Sequence, residues 1–269
     1  MLASGRVHFW QGGSLWIGSG QGRTQWHAHH AHQITLPFAG TCRFRSEDDS
    51  AGAEFSGAFV HSERPHQLEM EPTGVAQLFV EPETAEGQAL QRRFAAQGGV
   101  THVPEPERAA MVELLMSAHG ANADAQAMVA TGRAAIAVLA GTPSADAELD
   151  RRIARALEFI RAGIRGTVKL SDVAAAAALS PGRFRHLFVQ ETGAALRTYV
   201  LWLRINIAIE RSMAGGSWTD AAHDAGFADS AHLSRTFKRM FGINPATLVR
   251  AERTASAAAT PPPRRHADR

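Results

Sequence analysis

Cysteine is almost missing from this chain. Cys42 is the only one in 269 residues, so no internal disulfide can form, which fits a reducing compartment. No apolar run reaches the roughly 18 residues needed to cross a bilayer. The N-terminus lacks a basic start followed by an apolar stretch. A cytoplasmic protein with no membrane partner is therefore expected. No nucleophile motif surrounds Ser14, Ser46 or Ser56. What is present is an ordinary globular composition, 45% hydrophobic and 20% charged, long enough for two domains.

The net charge of +2 conceals two unlike halves. Residues 1–147 hold 9 Arg against 15 Asp and Glu, or −6. Residues 148–253 hold 16 Lys and Arg against 10 Asp and Glu, or +6, and residues 254–269 add +2. Only the second half suits a polyanionic partner.

The texture changes at the same place. From Val7 to about Glu81 short apolar runs (Gln33–Phe38, Cys42–Phe44, Ala58–Val60, Val75–Val80) alternate with breaks at Gly40, Glu47–Gly52, Arg64–Pro65 and Pro72–Gly74. This reads as a small antiparallel barrel or sandwich. Helices are expected over Glu83–Gln97, over Glu105–His119 with Met111, Leu114, Leu115 and Ala118 at helical spacing, and over Ala123–Ala140. Gly141–Ala147 reads as a linker. Helices then follow at Glu148–Gly163, Leu170–Ala178, Pro181–Thr192, Leu196–Ala214, Thr219–Gly226, Ser230–Phe241 and Pro245–Glu252. Residues 254–269, with Pro261–Pro263 and little to bury, read as a disordered tail. The fold class expected is α+β, with an N-terminal antiparallel barrel plus helices and an all-α C-terminal domain.

The basic half contains a repeat. Asp172–Leu179 aligns with Asp220–Phe227, Phe184–Phe188 with Leu233–Phe237, and Gly193 with Gly242. Each copy is an Ala-rich helix, a tight turn and a basic amphipathic helix, which is the outline of a helix-turn-helix. Ser180 and Asp229 stand where N-caps are wanted, and Pro181 occupies a first helical turn. Phe184, Leu187 and Phe188 share one face, as do Leu233, Phe237 and Phe241. The helix Leu196–Ala214 is about 28 Å long at 1.5 Å per residue. It can hold two recognition helices in major grooves about 34 Å apart.

From Leu170 to Arg250 the sequence resembles the AraC/XylS family of transcription regulators. The match is densest over Asp220–Phe227 and the run from Ser230 to Pro245. It departs at Ala178, where Gly is common, and at Leu248, where an aromatic is usual. The resemblance implies that Gly182, Arg185 and His186 of the first recognition helix face bases. In the second it picks Ser230, Ala231, Ser234 and Arg235. Arg185 and Arg235 should dominate direct readout, since Arg clasps a guanine edge with two hydrogen bonds. Arg183, Lys238 and Arg239 are placed for phosphates. Double-stranded DNA, RNA polymerase and a second copy of the chain are the partners implied.

Nine of the 13 histidines precede residue 120, four of them within Trp26–Gln33. On a regular strand His27 and His29 share one face with Gln33, and His30 and His32 the other. The spacing His27-x-His29-x3-Gln33-x6-Gly40 resembles the first motif of the cupin barrel. His61–His66 is similar to the second, with Glu63 where Gly is usual. The resemblance implies that His27, His29, Gln33 and His66 converge inside the barrel. Imidazoles so spaced suit Zn, Ni, Cu or Fe. Three readings stay open: a metal site, a metal-free pocket for a small organic effector, or surface histidines with no role. His30 and His32 fit the last. If a metal binds, its affinity should fall as pH drops through the histidine range near 6.5.

The organisation expected is a cupin-like effector-sensing domain (1–100), a helical dimerisation segment and linker (101–147), a double helix-turn-helix domain (148–253) and the tail (254–269). The function expected is sequence-specific regulation of transcription, not catalysis. The alternative is a cupin-type metal-dependent enzyme, or a metal-ion sensor proper, fused to a DNA-binding domain.

Overall fold

A computed structural model describes residues 2–141 and 149–248 of the chain. Apart from Gly141, the linker and tail read from the sequence lie outside these residues. The N-terminal part contains β1 (Leu2–Trp10), β2 (Gly13–Arg23), β3 (His32–Pro37), β4 (Cys42–Ser46), β5 (Ala53–Phe55), β6 (Ala58–Val60), β7 (His66–Val80), α1 (Ala85–Arg93), β8 (Val100–His102), α2 (Glu105–Gly120) and α3 (Ala125–Ala140). The C-terminal part contains α4 (Arg151–Ala162), α5 (Leu170–Ala176), α6 (Pro181–Thr192), α7 (Leu196–Met213), α8 (Trp218–Asp224) and α9 (Ser230–Phe241). The α+β class is as expected.

Strand β7 organises the sheet, which runs β1-β2-β7-β3-β6-β8 with β4 and β5 leaving it at β7. All pairings are antiparallel. The first part of β7 pairs with β4 and the second with β3, so the sheet curls round it. The described strands leave the barrel open between β1 and β8. The expected break at Pro72–Gly74 is instead a point inside β7. Glu71 and Pro72 stand opposite a single residue of β2 in the register shift between Gly20 and Gly22. Proline, lacking an N–H, is tolerated at such a bulge. The hairpin β1–β2 escaped the pattern because its glycines dilute the apolar alternation.

Helices α2 and α3 close one side of this barrel. Met111, Leu115, Met128, Ile136 and Leu139 pack with Leu15, Ile17, Ile34 and Leu78 of the sheet. Each fully buried side chain of this size contributes about 1.5–3 kcal/mol. The helical segment is thus part of the N-terminal domain's own core. Leu114, expected on that buried face, is 40% exposed.

In the C-terminal part the two helix-turn-helix units stand at either end of α7, the strut between them. Ser180 caps α6 by accepting from the Arg183 amide, and Asp229 caps α9 by accepting from the His232 amide at 2.6 Å. Phe184 and Phe188 are buried in the first unit, Leu233, Phe237 and Phe241 in the second. Both inter-helix turns need a left-handed residue: Ala178 has φ +54° and Gly226 φ +77°. An added Cβ on Gly226 would lie 2.8 Å from the Arg165 carbonyl oxygen. The second turn therefore packs directly on the loop after α4, which fixes one unit against the other.

An L-residue in the left-handed region costs about 1–2 kcal/mol. Ala178→Gly should thus stabilise the chain by about 0.5–1 kcal/mol after the glycine's extra unfolded-state entropy is subtracted. Gly226→Ala should destabilise it by about 2 kcal/mol or more, since strain and contact add. Urea denaturation measures both, and like signs for the two would contradict this account of the turns.

Candidate functional site

Three imidazoles meet beneath the C-terminal domain. Ligand atoms of His27, His29 and His66 lie within 4.8 Å of one another, and all three residues are buried. Their Nδ1 atoms each face a backbone carbonyl: Gln25 at 2.9 Å, Ala31 at 2.9 Å and Arg64 at 2.8 Å. A carbonyl can only accept, so each Nδ1 carries the proton and each Nε2 is left with its lone pair. This is the arrangement in which a histidine is oriented for a metal by its other nitrogen. Gln33 completes the set, its Oε1 lying 2.9 Å from His29 Nε2 and 3.2 Å from His66 Nε2. The Gln33 amide nitrogen donates to Thr35 Oγ1 at 2.9 Å, which turns Oε1 inward.

With Gln33 Oε1 turned inward, four lone-pair groups face one another, an arrangement a cation relieves. Protons are a poor substitute here. Burial, then the neighbouring His29, pulls His27 down to about 3. Burial likewise lowers His29, and holds His66 well below the ordinary value. The four residues picked from the sequence come together, though not on one regular strand. His27 lies in an isolated bridge to His66, and β3 begins only at His32.

The expectation that His30 and His32 lie on the surface is wrong, because both are fully buried. His30 points at the C-terminal domain. Its Nε2 lies 2.9 Å from Glu83, and its ring stands edge-on to Tyr199 at 5.1 Å. Burial opposes its protonation, but Glu83, with Glu81 and Glu63 beside it, outweighs this and raises its pKa. His32 packs on Phe59, and its Nδ1 accepts from the Ser62 amide. Glu63 holds φ +58°, so the left-handed turn survives where the cupin pattern would have glycine. Cys42 is buried, as its size suggested.

The two domains share a core, which no local pattern signals. Glu81, at the end of β7, accepts from Trp202 Nε1 at 3.0 Å and lies 3.5 Å from Arg161. Burial and the adjacent Glu83 push it up to about 7. Phe241, the last residue of α9, sits against Trp16 at 5.1 Å and Phe79 at 5.9 Å. The Gln25 amide donates to the Gly242 carbonyl at 2.8 Å. Gly242, the left-handed C-cap of α9, comes so close that a Cβ there would lie 2.7 Å from His27 Nδ1. The second recognition helix is therefore rooted beside a histidine of the cluster.

Of the residues proposed to face DNA, Gly182, Arg183, Arg185, His186, Ala231, Arg235, Lys238 and Arg239 are exposed. Ser230 and Ser234 are half-buried. The Ser234 hydroxyl donates to the Ser230 carbonyl at 2.8 Å and accepts from Trp218 Nε1 at 3.0 Å, so it has little left to offer a base. Arg239 lines a cleft with Trp26, His27 and Glu63, on the sensor side of α9.

Residues 173–251 match the model of the helix-turn-helix domain family. Over 101 residues the chain is 29% identical to the uncharacterized HTH-type transcriptional regulator YidL of Escherichia coli K12, covering 37% of this chain and 34% of YidL. Over 88 residues it is 32% identical to the transcriptional activator RhrA of Rhizobium meliloti, covering 32% of this chain and 28% of RhrA. The chain thus matches about a third of the length of these relatives. In fold the likeness extends further. The crystal structure of ToxT from Vibrio cholerae superposes with a TM-score of 0.59 over 90% of this chain and 98% of ToxT, at 10% identity.

Gly242→Ala should strain the C-cap and push α9 off the sensor, destabilising the chain by about 2 kcal/mol or more. Hydrogen exchange at the Gln25 amide reads the contact directly. Unchanged protection of that amide in the variant would mean that the cap does not hold the domains together.

Proposed function

We propose that the whole chain is a sequence-specific transcription regulator of the AraC/XylS type, its C-terminal part matching the helix-turn-helix domain family over residues 173–251, and that its N-terminal domain senses a transition metal ion. The observation that carries the sensor half is the acceptor-only cluster of three Nε2 atoms and Gln33 Oε1. His27, His29, Gln33 and His66 would hold Zn, Ni, Cu or Fe, whose positive charge answers four inward lone pairs. The ion acts on the DNA reader through Gly242 and Phe241, which root α9 beside His27 and His29. We read a sensor rather than an oxygen-handling enzyme because the cluster lies buried under the very helix it would control. RNA polymerase contact, a cytoplasmic location and a homodimer belong to the same proposal. Leu114, exposed on α2, marks the helix face we assign to pairing.

Gln33 makes such a site reversible. If its amide turned by 180°, the NH2 group would donate to His29 and His66 Nε2, and Thr35 Oγ1 would donate to the oxygen. The ion-free cluster is then satisfied without any charge. A glutamate could not do this, so Gln33→Glu should bind the ion at least about tenfold more tightly and release it more slowly.

Three measurements test the reading. Elemental analysis and calorimetry should find one ion per chain, lost in His29→Ala and His66→Ala and kept in His32→Ala. A saturating ion should raise Tm by roughly 5–10 °C. The third is pH dependence, where the earlier expectation is revised. Three ordinary imidazoles at 6.5 would lose affinity about fiftyfold between pH 7.5 and 6.0. Folded-state values already lowered by burial, about 3 for His27, mean that protons compete only at lower pH. Affinity should therefore change less than about threefold over that range. A fiftyfold fall would show that the cluster is wetter and looser than described.

On the DNA side, Arg185→Ala and Arg235→Ala should each cost about 1–3 kcal/mol at the preferred site and relax the preference at one or two base pairs. Lys238→Ala should weaken all sequences alike and reduce the salt slope by about one. Binding-site selection on randomised duplexes compares them, and a changed base preference in Lys238→Ala alone would reverse the roles.

A further inference from the structure

The roles assigned so far leave out the hollow between the two helix-turn-helix units. It encloses about 1010 Å³, large enough for a small organic molecule. Its floor is apolar, with Val200 and Leu201 of α7 flanked by Phe188 and Val189 of α6. Its rim is cationic. Arg165, Arg185 and Arg197 line it, and among the described residues no aspartate or glutamate does. All three arginines are exposed and none is in an ion pair with a described carboxylate. Arg204 serves the wall instead, donating to the carbonyls of Ile164 and Gly166.

Uncompensated guanidinium groups above an apolar floor make a site of one polarity. Their field is poorly screened on the floor's side, and an anion is drawn to it. A duplex satisfies only half of this, since phosphates can meet the rim but have nothing apolar to lay on Val200 and Leu201. A molecule with an apolar body and one acidic group satisfies both. We infer that the cleft is a binding site for an amphipathic organic anion, its acid group held by Arg165, Arg185 and Arg197, and that its occupant excludes DNA. The exclusion rests on the DNA-reading role given to Arg185, whereas the binding does not.

The probe is 1-anilinonaphthalene-8-sulfonate, titrated into the full-length chain and followed by its emission. Its uncharged relative N-phenyl-1-naphthylamine serves as control. One equivalent of the sulfonate should bind saturably, and Arg165→Ala and Arg197→Ala should each weaken it about tenfold. The neutral dye should be indifferent to both substitutions. Val189→Ser, at a position 46% exposed where folding is not at stake, should weaken both dyes. A duplex of about 25 base pairs should displace the sulfonate. Sulfonate binding unchanged in both arginine variants would overturn the site. So would arginine variants that weaken only the duplex, which would make the rim a phosphate-contacting surface. Dye and duplex bound together without competition would overturn the exclusion. If no duplex binds at all, the regulator reading fails, and the arginine dependence of the dye still decides the site.

Discussion

The end of α9 buried in the mouth of the N-terminal barrel is the constraint from which the rest of the arrangement follows. Phe241 lies among Trp16, Phe79 and Trp202, and Gly242 brings its backbone onto Gln25 and His27. These contacts fix where the second helix-turn-helix unit stands. The Gly226 turn against Arg165 then fixes the first relative to it. The histidine cluster owes its burial to the same contact, and its burial keeps the imidazoles neutral and able to act as ligands. One interface thus governs both the chemistry of the cluster and the pose of the reading helices.

Polar groups make that interface selective rather than merely adhesive. Glu81 of the N-terminal part needs Trp202 and Arg161 of the C-terminal part. Buried polar groups are expensive when unpaired. The described pose satisfies Glu81 through both Trp202 and Arg161. Apolar contact alone would tolerate sliding. With these pairs in place, a small rotation of the C-terminal domain orphans groups that water cannot reach.

How much of this was legible in the sequence depends on whether the signal was local. The helices Pro181–Thr192 and Ser230–Phe241 were bounded to the residue because caps, prolines and C-terminal glycines lie next to one another in the chain. The set His27, His29, Gln33 and His66 came from the resemblance to the cupin motifs, although the strand alternation invoked beside it does not hold from Trp26 to Ala31. Long-range facts were invisible. Nothing local distinguishes a histidine turned to solvent from His30 turned to a second domain. Nor does a helix face show which of Leu114 and Leu115 will meet a core. The β1–β2 hairpin was missed because glycine erases the alternation on which strand reading relies. The left-handed Ala178 was open to suspicion from the repeat alone, since its counterpart is Gly226.

The shared core also bears on ancestry and engineering. Double helix-turn-helix domains are readily thought of as interchangeable modules, yet this one leaves Trp202 and Phe241 covered partly by residues of its sensor, Phe79 and Ala31 among them. Cut at the linker, the reader would present that apolar surface to water, and a foreign sensor would have to supply a matching barrel mouth and an acceptor for Trp202. Shuffling at this boundary therefore demands co-inheritance of a patch on each side of it. Within this lineage the two halves are expected to travel, and to diverge, as a single unit.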